Sequence, residues 1–164
     1  MTEPRFLADD NVGRLARWLR VLGYDTLYLK GLQDEELIAV AAREGRVLLT
    51  RDRQLVRRRL AAARGARTFL VGPEDLEGQL RQVAEAFGLD KGQRPFSRCL
   101  ECNLPLVDRE KDEVRGRVPP YVFQTQGQFR ECPGCHRLYW RGTHWGHMMK
   151  KVDSLTRLGG GGEA

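Results

Sequence analysis

The chain has 164 residues, of which 41% are hydrophobic and 30% are charged. This length fits one ordinary domain, or a small domain with a smaller module attached, and the composition excludes both a disordered chain and a disulfide-dense miniprotein. The net charge is +6, and the excess lies after residue 90, where 13 basic residues face 8 acidic ones. No apolar run approaches the ~18 residues of a membrane span, and the first five residues lack a signal-peptide core, so we expect a cytoplasmic protein without membrane contact.

Short apolar runs alternate with amphipathic segments through the first 90 residues. The runs predict strands, and the segments between them have the i, i+3, i+4 spacing of helices. Strands are predicted at 5–8, 26–29, 47–49 and 68–71, and helices at 12–22, 35–43, 53–63 and 76–87. Strands joined through ten-residue helices are parallel, because a hairpin cannot connect parallel strands. Residues 1–90 are therefore predicted to form an α/β domain.

An acidic residue follows each predicted strand. These residues are, in chain order, Asp9, Asp34, Asp52 and Asp75, with Asp10, Glu35, Glu36 and Glu74 beside them. Ligands of open α/β sheets bind at the carboxyl ends of the strands. Carboxylates at one sheet edge repel one another unless a cation lies between them, and Mg²⁺ and Mn²⁺ prefer such hard oxygen ligands. The pattern indicates a divalent metal site, although each residue also suits the N-terminus of the helix that follows it.

Apart from these carboxylates, the predicted α/β half lacks the residues of the common catalytic motifs. It has no His and no Cys, so neither a Ser-His-Asp triad nor a Cys-His dyad can be built from it, and the sequence lacks the glycine-rich phosphate loops of nucleotide-binding proteins. Clustered carboxylates with Mg²⁺ or Mn²⁺ are the apparatus of phosphodiester hydrolysis. Residues assigned to holding the substrate backbone lie close to the acidic positions: Asn11, Arg14, Arg17, Arg51 and Arg53. The run 57–59, three consecutive arginines, fans around a helix and is interpreted as a solvated face.

All four cysteines lie in the second half, in two pairs of equal spacing. Cys99 and Cys102 form one C-x₂-C pair, and Cys132 and Cys135 form another after 29 intervening residues. Two such pairs provide the tetrahedral S₄ site that Zn²⁺ prefers, and four cysteines close the coordination sphere, which predicts a structural zinc ion. Disulfides are disfavoured by the expected cytoplasmic location, and a redox pair is disfavoured by the repetition of the spacing.

The residues around the cysteines predict a small zinc ribbon over residues 91–147. The alternating run 121–124 predicts a strand, and the aromatic side chains of this half either stack on bases or form the ribbon's core. His136 follows a cysteine ligand. His144 and His147 are either proton donors near the acidic site or exposed residues of a tail helix. Residues 148–164 are predicted to form that helix, docked through Met148, Val152 and Leu155, with a disordered tail from Gly159.

Several segments resemble, in order, the prokaryotic proteins of the Mut-seven C-terminal RNase domain family. They are 6–9, 13–20, 22–26, 48–52, the two cysteine pairs and 139–145, so the resemblance runs from about residue 5 to 147. It implies a PIN-like nuclease fold with a parallel sheet, fused to a zinc ribbon, and an RNase activity that depends on Mg²⁺ or Mn²⁺. It also implies that Asp9, Asp52 and Asp34 bind the metal, with Asp75 or Glu35 as a further carboxylate. Asn11-Val12 stands where the family usually has Met-Leu, which leaves the roles of Asp10 and Asn11 open.

Three hypotheses about function follow. The first is a metal-dependent ribonuclease, and specifically an endoribonuclease, whose ribbon helps to bind RNA. The second is a non-catalytic RNA- or ribosome-binding module with a vestigial acidic site. The third, a receiver domain, is disfavoured because Thr50 and not Asp ends the third strand. RNA is the expected partner, the ribosome and tRNA are further candidates, and the sequence does not indicate an oligomeric state.

Overall fold

The first half of the chain alternates strands and helices, as predicted. The computed structural model describes residues 3–57, 65–90 and 94–159, with side chains of the last helix as far as Ser154. The elements are β1 (Phe6–Ala8), a 3₁₀ turn (Asp10–Val12), α1 (Gly13–Val21), β2 (Thr26–Tyr28), α2 (Asp34–Glu44), β3 (Val47–Thr50), α3 (Arg53–Arg57), β4 (Arg67–Leu70) and α4 (Leu76–Phe87). Residues 58–63 of the predicted helix over 53–63 lie outside the described part, and they include Arg58 and Arg59 of the arginine run.

The four strands form one parallel sheet in the order β2-β1-β3-β4. The central strands β1 and β3 are buried at every residue, because helices cover both faces of the sheet. Phe6 and Leu49 face a core cluster with α1 and α4, and Leu7 and Leu48 face a second cluster with α2 and α3. Each fully buried side chain of this size contributes roughly 1.5–3 kcal/mol through its removal from water. The predicted α/β fold is confirmed.

Glycines end two of the helices. Gly45 follows α2 with φ 65°, and Gly88 follows α4 with φ 64°. Each N–H donates to a carbonyl of the last helical turn, that of Ala41 or Ala84. A residue with a Cβ is strained at this left-handed φ, so glycine is the residue that allows the chain to turn back toward the sheet.

The second half contains a small antiparallel sheet. Its elements are β5 (Val107–Arg109), a 3₁₀ turn (Lys111–Val114), α5 (Pro120–Thr125), β6 (Phe129–Glu131), β7 (Leu138–Tyr139) and α6 (Thr143–Gly159), and the sheet order is β5-β6-β7. Phe129, Val114 and Val122 are the buried residues of its own core cluster. This arrangement, with four clustered cysteines, fits the predicted zinc ribbon.

The predicted strand over residues 121–124 is wrong, because these residues form α5. Pro120 is the first residue of this helix, where its fixed φ suits the helix and its missing N–H costs nothing. Val122 faces the ribbon core, whereas Tyr121 is 64% exposed. The alternation of Tyr121, Val122 and Phe123 therefore reflects a single helical turn that packs through one side.

The last helix includes residues before 148, the first residue of the predicted C-terminal segment. It starts at Thr143, so His144 and His147 lie on it, and both are exposed. Met148 and Val152 are buried in the cluster that contains α1 and α4, which places α6 against the α/β half. Gly159, where disorder was predicted, is the last residue of α6, while residues 160–164 and the Leu155 side chain lie outside the described part. In the residues that the structure describes, no helix is long and apolar enough to span a membrane.

The segment around the first cysteine pair is hydrogen-bonded to the amino edge of the parallel sheet. Arg20, which is 6% exposed, donates from Nε to the Thr26 carbonyl (2.8 Å) and from Nη1 to the Leu100 carbonyl (2.7 Å). Asn103 accepts the Thr26 N–H at Oδ1 (2.9 Å) and donates from Nδ2 to Asp25 (2.6 Å). Thr26 is the first residue of β2, so the cysteine-rich segment contacts the sheet edge opposite to the acidic one.

Candidate active site and metal centre

The strand order concentrates the acidic residues at one place in the sheet. β1 pairs with β2 on one side and with β3 on the other, so the connections after β1 and after β3 run in opposite directions. The crevice between two such strands is the usual ligand site of open α/β sheets. Asp9 follows β1 and Asp52 follows β3, and both therefore lie at the carboxyl edge of the two central strands.

The Thr50 side chain connects these two carboxylate-bearing loops. Its hydroxyl donates to Asp9 Oδ2 (2.7 Å) and accepts the Asp52 N–H (3.0 Å). Asp9 Oδ1 accepts the N–H of Asp10 (2.8 Å), so both oxygens of Asp9 are oriented by hydrogen bonds. Thr50 is fully buried and was not predicted as a site residue. The available signal was a polar residue at the end of an otherwise apolar buried strand.

The other predicted carboxylates also act at helix starts. Asp52 Oδ1 accepts the N–H groups of Gln54 (2.9 Å) and Leu55 (3.4 Å), and Asp75 Oδ2 accepts the N–H of Gly78 (2.9 Å) as the N-cap of α4. Asp34 is the first residue of α2. Across residues 3–57, 65–90 and 94–159, the one group of three or more potential metal ligands with donor atoms within 4.8 Å of one another is the four cysteines. The structure thus joins Asp9 to the Asp52 loop but does not add Asp34 or Asp75 to that pair.

A cavity of about 430 Å³ lies beside the acidic edge. Four of the five predicted substrate-binding residues line it, and Arg53 is not among its lining residues. The lining consists of Asp10, Asn11, Val12, Gly13, Arg14, Arg17, Tyr28, Arg51, Glu74, Leu76 and Gln79. Arg17 is also paired with Glu101 (3.2 Å), so Arg14 and Arg51 are the lining arginines that best suit an anionic ligand.

Two contacts fix the shape of this cavity. Asn11 Oδ1 accepts the Arg51 N–H (3.2 Å), which ties the loop after β1 to the loop after β3, and Arg51 Nε is buried without a hydrogen-bond partner. A Cβ on Gly13 would lie 2.7 Å from the Tyr28 ring, so the absence of a side chain at Gly13 lets that ring line the wall. The cavity therefore combines a guanidinium group with an aromatic wall.

The four cysteines form a second centre. Their sulfur atoms all lie within 4.8 Å of one another, and all four are free thiols. Cys99 and Cys132 are fully buried, and Cys135 is exposed. The four thiols are positioned to bind one metal ion, and a tetrahedral sulfur set is the arrangement of a structural zinc site.

The two cysteine pairs have the same local backbone geometry. The residue after each pair, Asn103 or His136, has a positive φ of 67° or 63°, and its N–H donates to the carbonyl of the first cysteine (2.9 Å in both). The N–H of Cys102 donates to Cys99 Sγ (3.4 Å), as that of Cys135 donates to Cys132 Sγ (3.5 Å). This repeated turn directs both sulfurs of a pair to one point.

The pKa values of the thiols fit a site that holds a cation. Burial raises the pKa of Cys99, but the hydrogen bonds from Tyr139 and from backbone N–H groups outweigh it and lower the pKa to about 7. The hydrogen bond with Cys135 and burial raise the pKa of Cys102 to about 12. Four neighbouring sulfurs ionise together only around a divalent cation that offsets their charge. His136, the residue after Cys135, is not a member of the cysteine cluster, and its Nδ1 contacts Glu131 (3.2 Å).

The comparisons with known proteins agree with this combination of an α/β half and a cysteine centre. A family model described as "Mut7-C RNAse domain" matches residues 4–152. No curated protein and no solved structure matches the chain. The match covers both the acidic edge and the four cysteines.

Proposed function

The chain belongs to the Mut7-C RNase domain family, and on this premise we propose that it is a metal-dependent endoribonuclease that hydrolyses phosphodiester bonds of RNA. The observation that carries the proposal is the link from Asp9 through Thr50 to the Asp52 loop, at the crevice between β1 and β3. This crevice adjoins a cavity with three arginines, so carboxylates for a cation and cations for a phosphate lie side by side.

The donor set fits Mg²⁺ or Mn²⁺. Mg²⁺ is typically held by one or two carboxylates, with waters and substrate phosphates as its other ligands, so Asp9 and Asp52 are a sufficient protein contribution. Asp34 is proposed as a third metal-binding carboxylate, and Asp75 as a further catalytic carboxylate of the same edge. A divalent cation bound there lowers the pKa of water and offsets the charge of the attacked phosphate.

The protein's own residues hold the reactants in place. Thr50 fixes the orientation of the Asp9 carboxylate, and the Asp52 backbone is held to the same hydroxyl. Arg14, Arg17 and Arg51 are proposed to bind phosphate groups of the RNA, with Asn11 holding the Arg51 backbone in place. Planar guanidinium groups form paired hydrogen bonds with phosphate oxygens, which suits them to this role. Arg53 is proposed as a further contact with the sugar-phosphate backbone of the RNA.

The cysteine centre is proposed to hold one structural Zn²⁺ ion, because four thiolates leave no coordination position for a substrate. The ribbon's part in RNA binding is proposed to be smaller than that of the cavity. Several ribbon arginines are paired with carboxylates: Arg117 with Glu131 (2.6 Å), Arg115 with Asp112 (3.0 Å) and Arg130 with Asp108 (3.2 Å). The ribosome and tRNA remain candidate partners, and a cytoplasmic location remains a prediction.

The test is cleavage of RNA by variants of the acidic edge. Asp9→Asn and Asp52→Asn keep the size of the side chain and remove its charge, and each is expected to lower the cleavage rate by about 100-fold or more. The substrates are single-stranded and hairpin RNAs, internally labelled so that endonucleolytic products are resolved, with Mg²⁺, Mn²⁺ or EDTA present. Asp112→Asn, an exposed ribbon carboxylate, is the matched control and should cleave as the parent protein does.

Two outcomes would contradict the proposal in different ways. Cleavage that persists in both edge variants would remove Asp9 and Asp52 from the chemistry. Salt-sensitive RNA binding by the parent protein without any metal-dependent cleavage would instead support the non-catalytic RNA- or ribosome-binding module.

A further inference from the structure

The Tyr139 hydroxyl lies between the cysteine centre and the backbone of the first cysteine pair. It is 3.2 Å from Cys99 Sγ and 3.1 Å from the N–H of Leu100. Tyr139 is the last residue of β7, and its ring packs against the core cluster that contains α1, α4 and α6. The ring is therefore held by the α/β half of the molecule, while its hydroxyl reaches the sulfur.

The direction of these hydrogen bonds follows from their partners. The Leu100 N–H is a donor and nothing else, so the Tyr139 oxygen accepts from it and directs its own hydrogen elsewhere. Cys99 Sγ is the other partner at hydrogen-bond distance, and a metal-binding cysteine is a thiolate, which only accepts. The hydroxyl therefore donates to the Cys99 sulfur when the site holds a metal.

Cys99 is a cysteine whose sulfur depends on donors within the protein. It is fully buried, so its sulfur has no water to share its negative charge, in contrast to the exposed Cys135. Cys132 is equally buried and receives two backbone N–H groups, those of Gly134 (3.4 Å) and Cys135 (3.5 Å). Cys99 likewise receives backbone hydrogen bonds, from Cys102 (3.4 Å) and Glu101, and the Tyr139 hydroxyl is its side-chain donor.

We propose that Tyr139 is a positioning residue of the zinc site, which holds the Cys99 sulfur in its ligating orientation and withdraws charge from it through an O–H···S hydrogen bond. The inference rests on the zinc ion proposed above for the four cysteines. Groups that contact metal ligands in this way typically change metal affinity by about 10- to 100-fold when they are removed.

The experiment compares Tyr139→Phe with the parent protein in zinc and cobalt binding. Phenylalanine keeps the ring in the core and removes the hydroxyl. We expect zinc affinity, measured by competition with a chromophoric chelator, to fall by about 10-fold or more. In the Co²⁺-substituted protein, the sulfur-to-cobalt charge-transfer band should move to longer wavelength, because a thiolate without its hydrogen bond gives up electron density more easily. A purely structural role of the hydroxyl would not shift this band.

Tyr24→Phe is the matched control. Tyr24 is a buried tyrosine of the same core cluster whose hydroxyl also accepts a backbone N–H, that of Asp90 (3.3 Å). Its removal should leave zinc affinity and the cobalt band unchanged. As a second arm, 3-fluorotyrosine at position 139 preserves the fold and donates a stronger hydrogen bond, so it should shift the band to shorter wavelength.

Three results would overturn the inference. In the first, Tyr139→Phe keeps the zinc affinity and the charge-transfer band position of the parent protein. In the second, Tyr139→Phe and Tyr24→Phe lose equal zinc affinity. In the third, fluorotyrosine at position 139 does not shift the band. Failure of the zinc proposal itself would appear separately, because the parent protein would then bind neither Zn²⁺ nor Co²⁺ at the cysteines.

Discussion

Thr50 is the residue that converts two acidic strand ends into one site. Its hydroxyl has one hydrogen and gives it to Asp9, while its oxygen accepts the Asp52 N–H. Thr50→Val keeps the shape of the side chain and removes both bonds, which leaves a partly buried N–H unpaired at a cost of about 1–3 kcal/mol. A carboxylate that is no longer held in its reactive position also slows the chemical step, so we expect RNA cleavage to fall roughly 10- to 100-fold. The concentration of Mn²⁺ for half-maximal activity should rise as well.

Thr26→Val is the control for this prediction. Thr26 is also a fully buried strand threonine, but it lies at the amino edge, where its hydroxyl donates to the Tyr24 carbonyl (3.1 Å). It should show a comparable change in the free energy of unfolding with parental metal dependence. If Thr50→Val also keeps the parental metal dependence, the hydroxyl does not position Asp9.

Asp25 makes the stability of the protein depend on pH. Burial raises the pKa of Asp25, but hydrogen bonds from Arg46 (2.8 Å) and Asn103 (2.6 Å) outweigh burial and hold the pKa below its ordinary value of 3.8. The charged form is therefore favoured in the folded protein. Its stabilising contribution is fully present above the unfolded pKa of about 3.9 and disappears as the pH falls through the lower native value.

The pH dependence can be measured by comparing the parent protein with Asp25→Asn. The difference between their free energies of unfolding in urea should be constant from pH 7 down to about pH 5 and should shrink on further acidification. Loss of metal from the cysteines at low pH affects both proteins and cancels in the difference. A difference that stays the same to pH 3 would show that Asp25 is not held in its charged form.

At the scale of elements, the sequence predicts the structure well where one periodic pattern dominates. The helix predicted over 76–87 and the four parallel strands agree with the structure to within a residue or so, because buried apolar runs and amphipathic segments encode them directly. Tyr121–Gln124 was predicted as a strand because a short alternating run fits either one side of a strand or one helical turn. The neighbouring Pro120 was the stronger signal, since it favours the first turn of a helix.

Asn103 joins the first cysteine pair to the parallel sheet, and its contribution can be isolated. It has a φ of 67° and uses both ends of its amide, so Asn103→Gly preserves the backbone conformation and removes only the side-chain hydrogen bonds. The Thr26 N–H then loses its partner, and we expect a loss of about 2 kcal/mol in the free energy of unfolding. Asn103→Ala should lose about 1 kcal/mol more, because alanine is strained at this φ.

His136→Gly is the matched control for this junction. His136 occupies the equivalent position after the second cysteine pair, with a φ of 63°, and is exposed. Its replacement removes the contact of the exposed imidazole with Glu131 (3.2 Å), so we expect a smaller loss in the free energy of unfolding than in Asn103→Gly, about 1 kcal/mol or less. Equal losses in the free energy of unfolding at the two positions would mean that Asn103 stabilises the turn after the cysteine pair and not the contact with β2.

At the scale of the whole molecule, the sequence predicts which groups the site contains better than it predicts their arrangement. Asp9 and Asp52 were identified because every strand exit of a parallel sheet points to the same edge. The Thr50 bridge and the contact of Asn11 with Arg51 depend on which strands are neighbours in the sheet. The hydrophobic periodicity of each segment does not determine this strand order. The division into residues 1–90, 91–147 and 148–164 stays a prediction.

The contacts between the two halves predict that zinc stabilises the α/β half as well as the ribbon. The first cysteine pair is bonded to β2 through Asn103 and to α1 through Arg20, and α6 packs against α4, so disorder at the cysteines exposes these surfaces too. Chelation should therefore lower the free energy of unfolding of the whole protein by several kcal/mol, and α1 should unfold in the same transition as the other helices.

Far-UV circular dichroism reports the unfolding of all the helices. In a variant with Trp140→Phe and Trp145→Phe, the fluorescence of Trp18 reports α1 alone. If the Trp18 transition keeps its midpoint after chelation while the four thiols become reactive, the α/β half is stable without the metal and the two halves are independent.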